Sequence, residues 1–411
     1  MNTLRLINTY PSKIGKIALF VAIIIFTTDF KTLAFENTQE NAANLYLGEA
    51  VSGPGYKVEQ VVQTDGFLRV FTFETYYGRY QIHGAALAKK RIHELRALDL
   101  LIKARDSEVF LKSLGRAAVS PLRYGGNLIQ NPEATLNRTA SGVANMFDRM
   151  SASLDNRTSK RDSAVESLIG IAKARREIAV ELGIDPYTDY PPLHNKLDEV
   201  ARASALGNIS VSAALSVIPG AGAIIFSSAG TANSIKDTLL QLTSAQIVSQ
   251  VKTMLLKLKV SSATVDLFVS NRNYTPADLF LMASALTKLN AAGTEIFLDR
   301  AAQAATHDVA YFQRQRAELL SNLRGISDFI SIDGFPLNRK YDGTIMAVVP
   351  VDDIIWTETT SKLFNRVTTS MRQRGIHNSA VLASNATVTP LAEKELEKLG
   401  WKILYLSNRE H

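Results

Sequence analysis

The sequence predicts an α+β protein, mainly α, with an N-terminal β-meander, a large helical domain around a central apolar helical hairpin, and a small C-terminal α/β module. Three observations carry this: short β-rich runs punctuated by Asp65-Gly66, a helical period that then holds for about 240 residues, and a return near residue 329 to short strands alternating with helices. The expected divisions are 1–34 as a signal peptide, 35–83 as the N-terminal segment, 84–328 as the helical domain and 329–411 as the C-terminal module. At 411 residues the chain is long enough to bury a substantial core without staples.

The opening segment places Arg5, Lys13 and Lys16 before an uncharged run from Ile17 to Thr28, closed by Asp29 and Lys31. That run is shorter than the roughly 20 residues a bilayer needs, so the layout predicts an export signal cleaved at Thr32-Leu33-Ala34, with an uncleaved anchor as the alternative. Residues 1–34 carry four basic side chains and one acidic one, so the rest of the chain has a net charge of +4 where the whole has +7. A charge that small and that interspersed does not describe a nucleic-acid groove. The absence of cysteine excludes disulfides, thiol nucleophiles, zinc-thiolate sites and lipoprotein acylation. An exported chain of this kind fits a bacterial periplasm.

Between Tyr56 and Ile82, the residues Val58, Val61, Val62, Leu68, Val70, Phe71 and Phe73 fall in runs separated by Thr64-Asp65-Gly66 and by Gly78, which predicts a three-stranded meander. From Gly84 the apolar spacing becomes helical. Stripes run through Ile92, Leu95 and Ile102, through Val143, Met146, Phe147, Met150 and Leu154, and through Val165, Leu168, Ile169, Ala172, Ala179 and Leu182. The last stripe has Lys173, Arg176 and Glu177 on its wet side. Thr275, Pro276 and Asp278 read as cap, first and third positions of a helix, Thr306-His307-Asp308 as another start, and Gly183 and Gly293 as stops. The loop from Val119 to Pro132 and the Pro-rich run from Ile184 to Asn195 read as breaks between helices.

Residues 203–235 contain no charge. As one helix they would extend about 50 Å, but Pro219-Gly220-Ala221-Gly222 divides them into two arms of about 21 to 24 Å, short of a hydrocarbon core of about 30 Å. Ala, Ser and Gly fill 19 of these 33 positions, so the two arms can approach closely. The expected arrangement is a buried hairpin wrapped by the amphipathic helices, using Leu206, Ile209, Leu215, Ile218, Ile224, Ile225 and Phe226. The segment also resembles, in architecture, the apolar hairpin of colicin-type pore-forming domains. That resemblance implies release of the pair into lipid and makes a membrane the alternative partner.

Toward the C-terminus, Thr344 to Thr357 holds paired apolar runs, Glu358 to Gln373 reads as a helix, Ala380 to Ser384 as a buried strand, Thr389 to Gly400 as a capped helix and Trp401 to Ser407 as a last strand. These make a module of three or four strands.

Spacing motifs for serine hydrolysis, zinc proteolysis, nucleotide binding and calcium loops are absent, and neither a cofactor nor a metal site is expected. Open α/β sheets bind ligands beyond the carboxyl ends of their strands, which nominates Asp352, Asp353, Ser384 and Asn385 as catalytic candidates. Turn residues between strands are the plainer interpretation. Tyr76, Tyr77, Arg79 and Tyr80 could stack on sugar rings, or simply pair across a hairpin. The expectation is therefore a non-catalytic interaction or structural protein of the bacterial envelope, with a protein partner or self-association and no nucleic acid. A membrane-active helical protein and an envelope enzyme with its site on the C-terminal module are the alternatives.

Overall fold

The computed structural model describes residues 35–38, 40–105, 161–207, 238–377 and 380–406. The N-terminal strands are β1 (Asn41–Ala42), β2 (Ser52–Gly53), β3 (Tyr56–Val58), β4 (Val61–Thr64), β5 (Arg69–Thr75) and β6 (Gly78–His83), with one helical turn, α1 (Asn44–Leu47), after β1. The expected three-stranded run from Tyr56 to Ile82 is thus four strands. Glu59 and Gln60 interrupt the first of them, so β3 and β4 lie end to end along one edge of β5, while β6 takes the other edge, all antiparallel. The Glu59 N–H still reaches the Thr72 carbonyl at 2.9 Å across the break.

Next come α2 (Ala85–Arg105), α3 (Arg161–Glu181), α4 (Pro191–Gly207), α5 (Ser244–Lys257), α6 (Ser262–Ser270), α7 (Pro276–Leu289), α8 (Thr294–Ala302) and α9 (His307–Ser321). The sequence signals for α7 hold in detail, since Thr275 and Asp278 form a reciprocal capping box with Pro276 in the first turn. Its stop differs from expectation. Asn290 takes the left-handed conformation that ends α7, and Gly293, also left-handed at φ 67°, instead caps the start of α8. Glycine is required there because a Cβ would lie 2.8 Å from the Phe329 carbonyl oxygen. Arg176, expected on the wet face of α3, is buried and donates to the Leu240 carbonyl at 2.8 Å.

The C-terminal sheet is larger than the expected three or four strands. It contains β7 (Ile326–Ile332), β8 (Phe335–Lys340), β9 (Ile345–Val348), β11 (Ala380–Ser384) and β13 (Trp401–Tyr405), in the order β13-β11-β9-β8-β7. Strands β9, β11 and β13 are parallel, joined through α10 (Glu358–Gln373) and α11 (Pro390–Leu399), while β8 runs antiparallel to both its neighbours. The added hairpin turns on Asp333-Gly334, both at positive φ, which is the Asp-Gly chemistry of a tight β-turn. A short parallel pair, β10 (Asp353–Ile354) with β12 (Thr387–Val388), follows β9 and β11 in the chain.

From Glu36 on, the described residues form one compact unit, and 53% of the described residues are helical and 21% strand, so α predominates over β as the periodicity requires. Three apolar clusters hold it. The first joins Phe71, Phe73 and Ile82 of the N-terminal sheet to Ile92, Leu95, Ile178, Leu193 and Leu197. The second packs α5 to α9 onto Phe329, Met346 and Val348, and the third packs α10 and α11 onto Ile345, Ala347 and Leu382. Strand β9 therefore buries alternate residues in two different cores, which is why its sequence is apolar without interruption. The segment 1–34 expected to be a signal peptide, the stripe from Val143 to Leu154 and, past Gly207, the segment 203–235 expected to form an apolar hairpin lie outside the described residues. Among the described residues, no helix is long and apolar enough to cross a membrane.

Candidate functional site

Strands β9 and β11 lead at their carboxyl ends into Asp352, Asp353 and Ser384, the position where an open α/β sheet presents its ligand crevice. Here the protein's own N-terminal segment takes that position. The Asp65-Gly66 turn is built by the Asp65 Oδ1, which accepts from the Phe67 and Leu68 N–H groups at 2.8 Å each. It hands its outward carbonyls to the module: Phe67 O accepts from the Asp352 and Asp353 N–H groups and Gly66 O from that of Ile355. Gly66 is close-packed, since a Cβ on it would lie 3.1 Å from the Thr357 methyl at the start of α10.

The two carboxylates serve the same contact through different partners. Asp352 accepts from the backbone N–H of Arg69 at 2.8 Å and from that of Ala85 at 3.0 and 3.1 Å. Asp353 pairs with the Arg69 guanidinium, with both side chains almost wholly buried, and accepts from the Tyr46 hydroxyl. The Arg69 guanidinium also lies 5.1 Å from the centre of the Tyr46 ring. Burial pushes the Asp352 carboxyl up to about 6, against the two backbone donors that favour its ionised form. Glu36 completes the seam, its carboxylate accepting from Trp356 N at 2.8 Å and Thr389 Oγ1 at 2.6 Å. Ser384 is buried and donates to the Val349 carbonyl at 2.7 Å while accepting from Ala386 N; Asn385 is exposed beside it.

The four aromatic and basic candidates of the hairpin do not form one platform. Tyr76 is 79% exposed, whereas Tyr77 packs on the first core. Arg79 pairs with Glu59 at the surface, and Tyr80 turns inward to stack on Phe73 at 5.8 Å.

A second polar centre escapes sequence reasoning. The Pro-rich break after α3 is not a surface loop: Asp185, Tyr187, Thr188 and Tyr190 are all buried, and they meet charges from α2, α7 and α9. Glu94 is held by Lys90 at 2.8 Å, by Arg91 at 3.3 Å and by the Thr188 hydroxyl at 2.9 Å. Burial opposes the Glu94 charge, but Lys90 and Arg91 outweigh it and hold the carboxyl down at about 2. Asp185 accepts from Tyr187 N at 2.8 Å and from the Thr275 hydroxyl at 2.7 Å, and the same Thr275 caps α7 with Asp278. Burial, then the Asp278 charge, push Asp185 up to about 6. Asp278 in turn lies 3.2 Å from Arg314, which bonds Glu318 at 3.1 Å. The Arg91 guanidinium sits 4.0 Å from the Tyr190 ring centre, a cation–π contact that closes the network. The one available signal was the run of acidic and aromatic residues in a Pro-rich stretch, which composition alone reads as solvated.

Chemically, each centre joins segments far apart in the chain. Comparison with known proteins finds no matching family, no matching curated protein and no matching solved structure for this chain.

Proposed function

We propose that this protein is an exported, non-catalytic interaction or structural protein of the bacterial envelope, acting through a protein partner or through self-association. The observation that carries the reading is the use of Asp352, Asp353 and Ser384. They stand where an α/β sheet would keep reactive groups for a ligand, and each is spent on a buried contact within the chain. A carboxylate that accepts from two backbone N–H groups, or is paired with a buried guanidinium, is committed to holding a fold rather than to moving protons for a substrate. The secretory layout of the first 34 residues and the lack of cysteine support the compartment.

Fractionation of the native cell, N-terminal sequencing of the mature product and in-cell cross-linking test the proposal together. The expected result is a product beginning near residue 35, in the envelope fraction, cross-linked into a defined oligomer or to one protein partner. A cytosolic monomer that retains Met1 and cross-links to nothing would overturn it.

A further inference from the structure

The two edges of the C-terminal sheet are finished differently. On β7 the chain itself covers the edge. Ala292, between α7 and α8, takes the place of a neighbouring strand, its N–H donating to the Ser327 carbonyl at 2.9 Å and its carbonyl accepting from Phe329 N at 2.8 Å. The Asp328–Arg339 ion pair adds charge beside it. Strand β13 has neither device. The Gly400 carbonyl accepts from Ala380 N at 3.0 Å and Leu406 N donates to the Ser384 carbonyl at 2.8 Å, so the even-numbered residues of this parallel ladder face β11. The N–H and C=O groups of Trp401, Ile403 and Tyr405 therefore point out of the sheet, and among the described residues no strand pairs with that side. Leu404 is 41% and Tyr405 55% exposed, and successive residues of a strand point to opposite faces, so the edge is apolar above and below. Lys402 is the one charge on β13. An open apolar edge is a template for another strand, which is why most edges are blocked by charge, a bulge or proline.

We infer that β13 pairs antiparallel with β13 of a second copy of this chain about a two-fold axis at Leu404, an inference that rests on the interaction-protein reading and names its surface. The residues set the register. Centring on Lys402 would oppose like charges, and centring on Ile403 would set Leu404 against Lys402 of the copy. Centred on Leu404, leucine meets leucine, Ile403 of each copy exchanges both backbone hydrogen bonds with Tyr405 of the other, and Lys402 lies across from Leu406. The axis then stands perpendicular to the sheet, which keeps both copies of α11 on one side and antiparallel. The exposed Glu393, Lys394, Glu397 and Lys398 read with opposite signs when their order is reversed, so the two helices offer each other unlike charges. Two five-stranded sheets become one continuous sheet.

Light scattering on the purified full chain and oxidative cross-linking of single-cysteine variants test this, because the chain has no cysteine of its own. The expected result is twice the chain mass at micromolar concentration, with Leu404→Lys raising the dissociation constant by on the order of 100-fold. At the axis the two Leu404 Cα atoms lie about 4.5 Å apart, within disulfide range, whereas the two Lys402 Cα atoms lie about 13 Å apart. Leu404→Cys should therefore oxidise to a covalent dimer and Lys402→Cys should not. Both side chains are exposed, so neither change removes a core contact. A monomer at every soluble concentration, with no Leu404→Cys cross-link, overturns the inference and leaves a different protein partner in place. A dimer unchanged in Leu404→Lys, or one cross-linked equally through both cysteines, overturns it and moves self-association to another surface. A covalent Leu404→Cys dimer upholds it whichever compartment fractionation finds.

Discussion

Asp352 and Glu94 are both buried carboxyl groups, yet their neighbours move them in opposite directions, and that difference is measurable. Asp352 is harder to ionise in the folded chain than in the unfolded one, so its contribution to stability is full below about pH 4 and is lost as pH rises through about 6. Asp185 acts in the same direction and the same window. Glu94 is easier to ionise when folded, so its contribution is present above about pH 4.5 and is lost as pH falls through about 2. Urea unfolding across pH is therefore expected to show Asp352→Asn flattening the fall between pH 4 and 6, by on the order of 2 kcal/mol, and Glu94→Gln flattening the rise between pH 2 and 4.5. Superimposable profiles for wild type and both variants would refute these environments. None of this was visible in the residues alone. The sequence located Asp352 at a strand end, but its donors Arg69 N and Ala85 N lie 283 and 267 positions away, and no local pattern encodes a contact of that span.

At the scale of elements, local chemistry was legible where one turn or one cap decides the outcome. Thr275, Thr306, Thr389, Gly183 and Gly400 act as read, and Asp65-Gly66 makes its turn. Two features went unread because their cause is tertiary or competes with a neighbour. The β7–β8 hairpin follows a helix closely, and a bulge near Ser327 shifts its alternation so that Ile326 and Phe329 enter the same core. Asn290 and Gly293 both suit a helix stop, and the Phe329 carbonyl decides that the glycine belongs at the second position. Gly293→Ala adds a steric clash to an unfavourable φ, whereas Gly343 at φ 82° has open space around its Cβ position. Gly293→Ala is expected to lower stability by about 2 to 4 kcal/mol and Gly343→Ala by about 1 kcal/mol, read from denaturant midpoints. Equal losses would mean that the close approach to β7 does not exist.

Across the whole molecule, the β-meander, the helices and the α/β module expected from periodicity are all present, but their separateness is not. The first core runs from the N-terminal sheet into α2, α3 and α4, and the second runs from the helices into the C-terminal sheet. The N-terminal turn closes the carboxyl end of that sheet through Arg69, Asp352, Asp353 and Glu36. Removing one member of the buried pair leaves the other charge stranded, so Asp353→Asn is expected to cost about 3 to 5 kcal/mol, while Arg69→Met with Asp353→Leu recovers much of that. A double variant no more stable than Asp353→Asn would mean that packing, not charge, holds the seam.

Backbone hydrogen exchange on the full chain, wild type against Asp353→Asn, probes the central claim most directly: residues 66–85 and 352–357 form one structural unit. The amides of Arg69, Ala85, Asp352, Asp353 and Ile355 are donors in the seam and are expected to exchange slowly and together in the wild type. In Asp353→Asn both segments should speed up in step while α5 to α7 stay protected. Rapid, independent exchange at Arg69 in the wild type, or a change confined to 352–357 in the variant, would contradict it.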